Sequence, residues 1–437
     1  MKEQRKLKIA WFSVLNLPNR PQEEKESLSA YFSEHVLPEL KNKFDITVYH
    51  NSFERYQDYK TFHYLKAFEH NKQDAFDIFF YQLEDDSRSN FVRSHMGLIP
   101  GITYFHHFNL TNYGPEPLLN SPYSDIVDKF NTDGNDWPDR KNKYKPKGPA
   151  AFREAALSLV SIFSSSHNLD EFKRQVKTRL KQSAENTLDA FYLPYPVNNQ
   201  IMKVGNKDEP DVFKIAFVGS TRIENRAHKV LSAISKLKNP YKLFWMLDKN
   251  ELPLAKDLLE EFGISDVKLC GNVNAETWEQ ITDKSDCAVH TLFSVYGHNE
   301  PFLGISMSSG LPSIVTNFAS TETLPDNLVY KIQPGDRESL EMTEVMNSIQ
   351  QGHSKFESQE LMKYCKEVYD SKQVALELAS IFIKRKEYLT GMLNSWKKLE
   401  SDALKSLLAE SDGLLDQDNP TFRAFIEPAL QELGWTA

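Results

Sequence analysis

The sequence predicts an α/β fold built from two doubly wound domains. Short apolar runs, such as Ile102–Phe105 and Phe213–Val218, alternate with longer amphipathic stretches. This alternation is typical of a parallel sheet that is covered by helices on both faces. A polar stretch, Pro194–Asp211, separates two such series and is the best linker candidate. The expected units are residues 1–200, residues 201–385 and a helical segment at residues 386–437.

The first series begins with Ile9–Leu15, which reads as a buried strand. A helical pattern follows from about Glu23 to Leu40, where apolar residues recur every three or four positions. The stretch Leu110–Pro149 is rich in Asn, Asp, Pro and Gly without a period and predicts a long surface loop. The further strands predicted in this half are Ile46–Tyr49, Asp77–Gln82, Ile102–Phe105 and Leu159–Phe163.

The second series follows the linker and repeats the same alternation. From about Gln359 onward the pattern is helical and rich in Leu, Lys and Glu. We expect this tail to pack on the body of the protein, with contact to a partner or a second copy as the alternative. The strands predicted in this half are Phe213–Val218, Lys242–Leu247, Val267–Leu269, Cys287–Thr291, Ser313–Thr316 and Leu328–Ile332.

Composition excludes several classes of protein. The 437 residues carry 52 Lys and Arg against 61 Asp and Glu, a net charge of −9, which disfavours general nucleic-acid binding. Three cysteines, Cys270, Cys287 and Cys365, lack paired or metal-like spacing and predict buried thiols in a reducing compartment. No apolar run reaches the length of about 18 residues that a transmembrane helix needs. We therefore expect a cytoplasmic protein without a metal site.

The loop after the strand Phe213–Val218 is a candidate anion site. It contains Gly219, Arg222 and Arg226, and it leads into a predicted helix. Arginine pairs with phosphate through its planar fork, and the N-terminus of a helix adds a positive field. The loop lacks the G-x-G-x-x-G pattern of dinucleotide-binding folds and the Walker pattern. It predicts a diphosphate site, with two solvated arginines as the alternative interpretation.

Two further strand ends carry polar side chains. The run after Cys287–Thr291 contains His298 and Glu300 and leads into a helix that includes Leu303 and Gly304. A carboxylate there can bind sugar hydroxyls, while the first amides of the helix face a phosphate. The strand Ile102–Phe105 is followed by His106 and His107, with no third ligand at metal-like spacing. A structural histidine is the alternative to one that orients a hydroxyl.

These motifs, taken in order, resemble bacterial glycosyltransferase family 4. The resemblance covers about residues 7–340, and the shared order of the motifs supports it. The matching residues are Ile9–Ser13, Pro100–His106, Phe163–Ser166, Leu193–Pro194, Gly219 to Arg226, Gly271–Val273, Gly297 to Glu300, Gly310–Thr316 and Glu322–Asp326.

The resemblance implies a GT-B fold, in which two Rossmann-like domains face a cleft, and a transferase that uses a nucleotide-sugar donor with retention of configuration. It implies that Arg222 or Arg226 holds the donor diphosphate, and that the base stacks near Gly271–Val273. By the same resemblance, Glu300 and the amides of Leu303 and Gly304 face the donor sugar and phosphate. No metal or other cofactor is implied, because protein cations and dipoles stabilise the leaving diphosphate.

On the acceptor side, the resemblance places His106 across the cleft, near the transferred sugar. The expected acceptor is a hydroxyl group on a surface glycan, a lipid-linked precursor or a protein. The family has its second glutamate eight residues after the first, a position that is Ser308 here, or Ile305 when the motif is aligned from Gly310. This difference favours the alternative function, a catalytically degenerate GT-B module that binds a partner through its helical tail. The C-terminal helices could also join two copies into a homo-oligomer.

Overall fold

A computed structural model gives the fold. It describes residues 5–17, 27–108, 110, 151–179, 189–198, 212–293, 301–353 and 355–410, and positions 420, 423–424 and 427–428. Within these ranges the strands form two separate sheets in which every pairing is parallel. The linker residues 199–211 and the predicted surface loop from residue 111 to 149 lie outside the described residues.

The first sheet contains seven strands in the order β3-β2-β1-β4-β5-β6-β7. They are β1 Lys8–Phe12, β2 Asp45–His50, β3 Lys60–His63, β4 Ile78–Leu83, β5 Ile102–Phe105, β6 Val160–Phe163 and β7 Asp189–Tyr192. The central strands are buried on both faces, so they appear in the sequence as unbroken apolar runs. The two edge strands, β3 and β7, were not predicted: β3 is short, polar and partly exposed, and β7 is only half-buried.

The second sheet contains six strands in the order β10-β9-β8-β11-β12-β13. They are β8 Phe213–Val218, β9 Tyr241–Met246, β10 Val267–Cys270, β11 Cys287–His290, β12 Ser313–Thr316 and β13 Tyr330–Ile332. All six predicted strands are present, and their ends agree with the prediction to within about two residues, the usual uncertainty of a strand end. The strand order reverses beside β8, as in other doubly wound sheets.

Helices cover the two faces of each sheet. In the first half they are α1 Leu28–Leu40, α2 Lys66–Gln73, α3 Asn90–Leu98, α4 Phe152–Leu157 and α5 Ser166–Arg179. In the second half they are α6 Ala227–Ile234, α7 Leu252–Glu261, α8 Ala275–Thr282, α9 Pro301–Ser308, α10 Glu338–Gln350, α11 Ser358–Val368 and α12 Ser371–Glu410. Helix α1 begins after Ser27, whose hydroxyl accepts a hydrogen bond from Ala30 N.

The long helix α12 returns to the first half of the chain. Phe382 on α12 is fully buried and makes edge-to-face ring contacts with Phe44 (5.7 Å between centroids) and Phe80 (5.4 Å). Arg385 donates to Asp189 at the start of β7 (3.0 Å). The tail therefore packs on the body of the protein up to this point. Within the described part of the chain, no helix is long and apolar enough to cross a membrane.

Two further sets of contacts also join the halves within the described residues. Val197, on the chain leaving the first sheet, donates to Tyr369 O (2.6 Å) and accepts from Ser371 N (3.2 Å) in the turn between α11 and α12. The hydroxyls of Ser166 and Thr323 lie 3.0 Å apart. Ser166 follows β6 and Thr323 follows β12, so the carboxyl ends of the two sets of strands face each other.

Candidate functional site

In open parallel sheets, ligands bind at the carboxyl ends of the strands, next to the point where the strand order reverses. In the second sheet this point lies between β8 and β11, and the loop Gly219–Arg226 follows β8 there. Gly219 packs closely there: a Cβ at this position would lie 3.2 Å from the Phe217 ring and 3.3 Å from Asn225 Cβ. Its carbonyl accepts from Trp245 Nε1 (2.8 Å). The start of the loop is thereby fixed against β8 and β9.

The middle of this loop is held by side chains. Ser220 Oγ donates to Asn225 Oδ1 (2.6 Å), which closes the loop on itself. Glu251, in the segment after β9, accepts from Thr221 N (2.6 Å) and Thr221 Oγ1 (3.0 Å). The side chain of Arg222 is exposed at the outer part of the same loop. The loop therefore presents one solvent-facing guanidinium on a well-anchored backbone.

Arg226 is placed differently from Arg222. Its Nε donates to Glu338 Oε1 (2.5 Å), and its Nη2 donates to the other oxygen of the same carboxylate. The Glu338 side chain is fully buried, and the Arg226 side chain is only 13% exposed. The fork that was expected to bind a diphosphate is thus bound to a carboxylate from α10, and the pair carries no net charge.

The loop after β10 packs on the segment after β9. A Cβ on Gly271 would lie 3.3 Å from Leu252 Cδ1 and 3.5 Å from Lys249 Cα, so the backbone of this loop lies close to the segment after β9. Val273 is half-buried and packs against the main hydrophobic core. The region where the nucleotide base is expected is therefore formed by the segments that follow two neighbouring strands, β9 and β10.

The loop after β11 lies partly outside the described residues. His298 and Glu300 belong to residues 294–300, which the structure does not describe. Leu303 and Gly304 lie in the first turn of α9, where the backbone N–H groups of a helix lack intrahelical partners. Gly304 also serves in packing, since a Cβ there would lie 3.0 Å from Val197 Cγ2. The first turn of α9 is thereby fixed to the segment that connects the two halves.

His106 lies at the carboxyl end of β5 and is fully buried. Its Nδ1 is 2.8 Å from Tyr195 Oη, and its Nε2 is 3.0 Å from the side-chain amide of Gln82. The amide oxygen of Gln82 accepts a hydrogen bond from Trp11 Nε1 (3.0 Å). The NH₂ group of Gln82 therefore faces His106 Nε2 and donates to it. Burial lowers the pKa of His106, so the ring is neutral and Nδ1–H is the donor toward Tyr195. The His106 ring is therefore held by side chains from β4 and from the segment after β7.

A buried carboxylate, which the sequence reading missed, lies beside His106. Glu84 follows β4 and accepts from Leu28 N (2.8 Å), Ser27 Oγ (2.5 Å) and Ser29 Oγ (3.0 Å) at the N-terminus of α1. Burial raises the pKa of Glu84. The anion position that a helix N-terminus offers is thus filled by a side chain of the protein itself. The acidic run Glu84–Asp86 after a predicted strand is the sequence signal for it.

The remaining titratable groups do not form a metal site within the described residues: no three His, Cys, Asp or Glu side chains cluster there in a suitable way. His107 Nδ1 accepts from Asp85 N (3.0 Å). His290 Nε2 lies 3.1 Å from Ser306 Oγ, and burial lowers its pKa to about 3. Both histidines therefore hold loops or helices in place.

Comparison with solved structures identifies the architecture. Sucrose-phosphate synthase from Thermosynechococcus elongatus superposes with a TM-score of 0.62 at 10% identity, covering 86% of this chain and 98% of that one. The chain has the GT-B fold. Anabaena HepE, solved with UDP and glucose, matches with a TM-score of 0.58 at 11% identity over 86% of this chain and 100% of its own. WaaG, a glycosyltransferase of lipopolysaccharide biosynthesis, gives 0.51 at 14% identity over 88% and 100%. No protein-family profile and no curated sequence matches the chain.

Proposed function

We propose that the chain is a glycosyltransferase that moves a sugar from a nucleotide-sugar donor to a hydroxyl acceptor with retention of configuration and without a metal. The observation that supports this most is the superposition of 86% of the chain on the whole of a GT-B protein solved with UDP-glucose. The acceptor would be a surface glycan, a lipid-linked precursor or a protein. Residues 1–200 would form the acceptor side and residues 201–385 the donor side.

The donor diphosphate would bind at the loop after β8. Arg222 is the exposed cation of that loop, and its guanidinium can bridge two phosphate oxygens. The backbone amides of Leu303 and Gly304, in the first turn of α9, would add partial positive charge. The backbone that carries these groups is anchored before the ligand arrives, so they would need little rearrangement to stabilise the charge that develops on the leaving diphosphate.

The rest of the donor would lie along neighbouring strand ends. The base would rest on the surface formed by Gly271–Val273, and Glu300, with His298 next to it, would bind the sugar hydroxyls. His106 would shape the reacting centre from the first half of the chain through Tyr195, because its ring is buried and both nitrogens are engaged. A displacement on one face of the sugar needs no separate strong base, since the leaving diphosphate can take the acceptor proton.

The test is a calorimetric titration of the purified chain with UDP, GDP, ADP and CMP. We expect one of these nucleotides to bind, and Arg222→Ala to raise its Kd about tenfold to a hundredfold, the effect of one charge-assisted hydrogen bond. The control is Lys236→Ala, which removes the same charge from an exposed residue at the far end of α6. If no nucleotide binds, the proposal fails. If both variants weaken binding equally, Arg222 is not the diphosphate ligand.

A further inference from the structure

We propose that Arg226 is a positioning residue that holds the donor loop against β11 through a ladder of stacked side chains, and that it does not bind the diphosphate. The ladder consists of Glu338, Arg226, Phe293 and Phe318. This inference rests on the proposed function, because the loop it fixes carries Arg222.

The first step of the ladder is the ion pair between α10 and the loop. Both oxygens of Glu338 accept from the Arg226 guanidinium, and the backbone N–H of Gly335 lies 3.5 Å from the carboxylate. A fully buried carboxylate needs such a partner, because burial without one is strongly unfavourable. The guanidinium is therefore directed toward α10 and away from solvent.

The second step is the contact between Arg226 and the strand that carries the donor site. The Cζ atom of Arg226 lies 4.9 Å from the centre of the Phe293 ring, within the range of a cation–π interaction. The Phe293 ring in turn lies 4.3 Å from the Phe318 ring, which follows β12. The ladder thus crosses the carboxyl ends of β8, β11 and β12 in one continuous stack.

The third step joins the loop backbone to β11 beside the ladder. Phe293 N donates to Glu224 O (2.7 Å), and Thr291 Oγ1 donates to Asn225 O (2.6 Å). These two carbonyls immediately precede Arg226 in the chain, so the ladder and the hydrogen bonds fix the same short segment. Asn225 Oδ1 also accepts a hydrogen bond from the Ser220 hydroxyl, which closes the loop around Arg222. The position of Arg222 therefore depends on Arg226.

The backbone of Arg226 agrees with this role. Its φ is +54°, in the left-handed region that side chains other than glycine seldom adopt. The residue caps the start of α6 in this conformation. An arginine at this position is explained when its side chain supplies the contacts with Glu338 and Phe293, which glycine could not make.

Replacing Glu338 distinguishes the two possible roles of Arg226, positioning the loop or binding the diphosphate, because they predict opposite changes in the Kd for the nucleotide. If Arg226 were a diphosphate ligand held back by its partner, Glu338→Leu and Glu338→Gln would release the guanidinium and strengthen nucleotide binding. If Arg226 positions the loop, both variants raise the Kd for the nucleotide that the wild type binds. Arg226→Met then raises it by a similar factor of at least about tenfold, and Arg226→Lys has a smaller effect because lysine keeps the charge without the fork.

The control is Arg174→Met, which removes an arginine from an exposed ion pair with Glu171 in the first half of the chain. A second readout needs no ligand: hydrogen exchange of the Phe293 amide accelerates in Arg226→Met and Glu338→Gln and stays unchanged in Arg174→Met. Circular dichroism shows whether each variant folds. If Arg226→Met or Glu338→Leu does not fold, the test uses Arg226→Lys and Glu338→Gln, because these substitutions keep the shape of the side chains more closely.

Two results overturn the inference. One is nucleotide binding that becomes stronger or stays the same when Glu338 is replaced, and the other is unchanged exchange at Phe293 in every folded variant of the pair. Both results can be distinguished from a failure of the proposed function, because in that case the wild-type chain itself binds no nucleotide. In that case the exchange experiment still decides whether the ladder holds the loop.

Discussion

The contact between α12 and the first sheet gives a prediction whose size can be worked out. Phe382 is fully buried and touches the Phe44 and Phe80 rings, so Phe382→Ala removes a whole aromatic side chain from a closed core. Such truncations lower the free energy of unfolding by about 3–5 kcal/mol. Because the truncation also removes two edge-to-face ring contacts, we expect a loss of about 4 kcal/mol, the middle of that range.

The neighbouring residue on the same helix is the matched control. Ile383 is 62% exposed, so Ile383→Ala is expected to change the free energy of unfolding by less than about 0.5 kcal/mol. Urea unfolding, followed by tryptophan fluorescence and by circular dichroism at 222 nm, measures both variants. Trp11, whose ring lies 4.3 Å from Phe80, reports on the first sheet. Equal effects of the two substitutions would refute the packing of α12 on this half of the chain.

Two further predictions concern pH. Burial raises the pKa of Glu84, so the folded chain binds this proton more tightly than the unfolded chain, and wild-type stability falls as the pH rises through the folded pKa. Glu84→Gln removes that pH dependence. The free energy of unfolding of the wild type, measured by urea titration relative to this variant, should therefore increase as the pH falls. A difference that does not change with pH would contradict a buried carboxylate with a raised pKa. The opposite sign applies to the buried His95, whose pKa burial lowers to about 3, and to His106, whose pKa is also lowered. Below pH 6.5 the unfolded chain binds a proton at each histidine that the folded chain does not, so each lowers the free energy of unfolding by about 1.4 kcal/mol per pH unit. His95→Phe removes one of these contributions, and the free energy of unfolding should then fall less steeply with decreasing pH.

The fold was predictable because parallel strands buried on both faces leave unbroken apolar runs in the sequence. Phe213–Val218 and Ile102–Phe105 coincide with β8 and β5. Edge strands lack this signal: Lys60–His63 pairs on one side only and keeps polar residues. The first strand was predicted too long at its end: Ser13 N still donates to Tyr49 O of β2, but Val14 and Leu15 are buried in the loop that follows β1.

The placement of the candidate site residues was predictable only where it depends on the order of strands and helices along the chain. Gly219 and Arg222 follow a strand, and their placement at the strand end could be expected from the order of elements alone. The partner of Arg226 could not be found in this way, because Glu338 is 112 residues further along the chain. The same holds for His106, whose ring partners come from β4 and from the segment after β7.

Glu251 illustrates a signal that was present but not used. An acidic residue soon after the second strand of a doubly wound unit is a frequent ribose ligand in dinucleotide-binding folds. Glu251 follows β9, the strand beside β8, and here its carboxylate holds the amide and hydroxyl of Thr221.

The most direct test of the central claim is turnover of the donor. The purified chain is incubated with UDP-, GDP-, ADP- and CMP-sugars, with water as the acceptor, and nucleotide release and the released sugar are followed by proton NMR. A retaining GT-B transferase is expected to release the nucleotide of one donor, with the sugar first appearing in the anomeric configuration of that donor. Release of the opposite anomer would contradict retention, and no release from any of these donors would contradict the proposed nucleotide-sugar transferase activity.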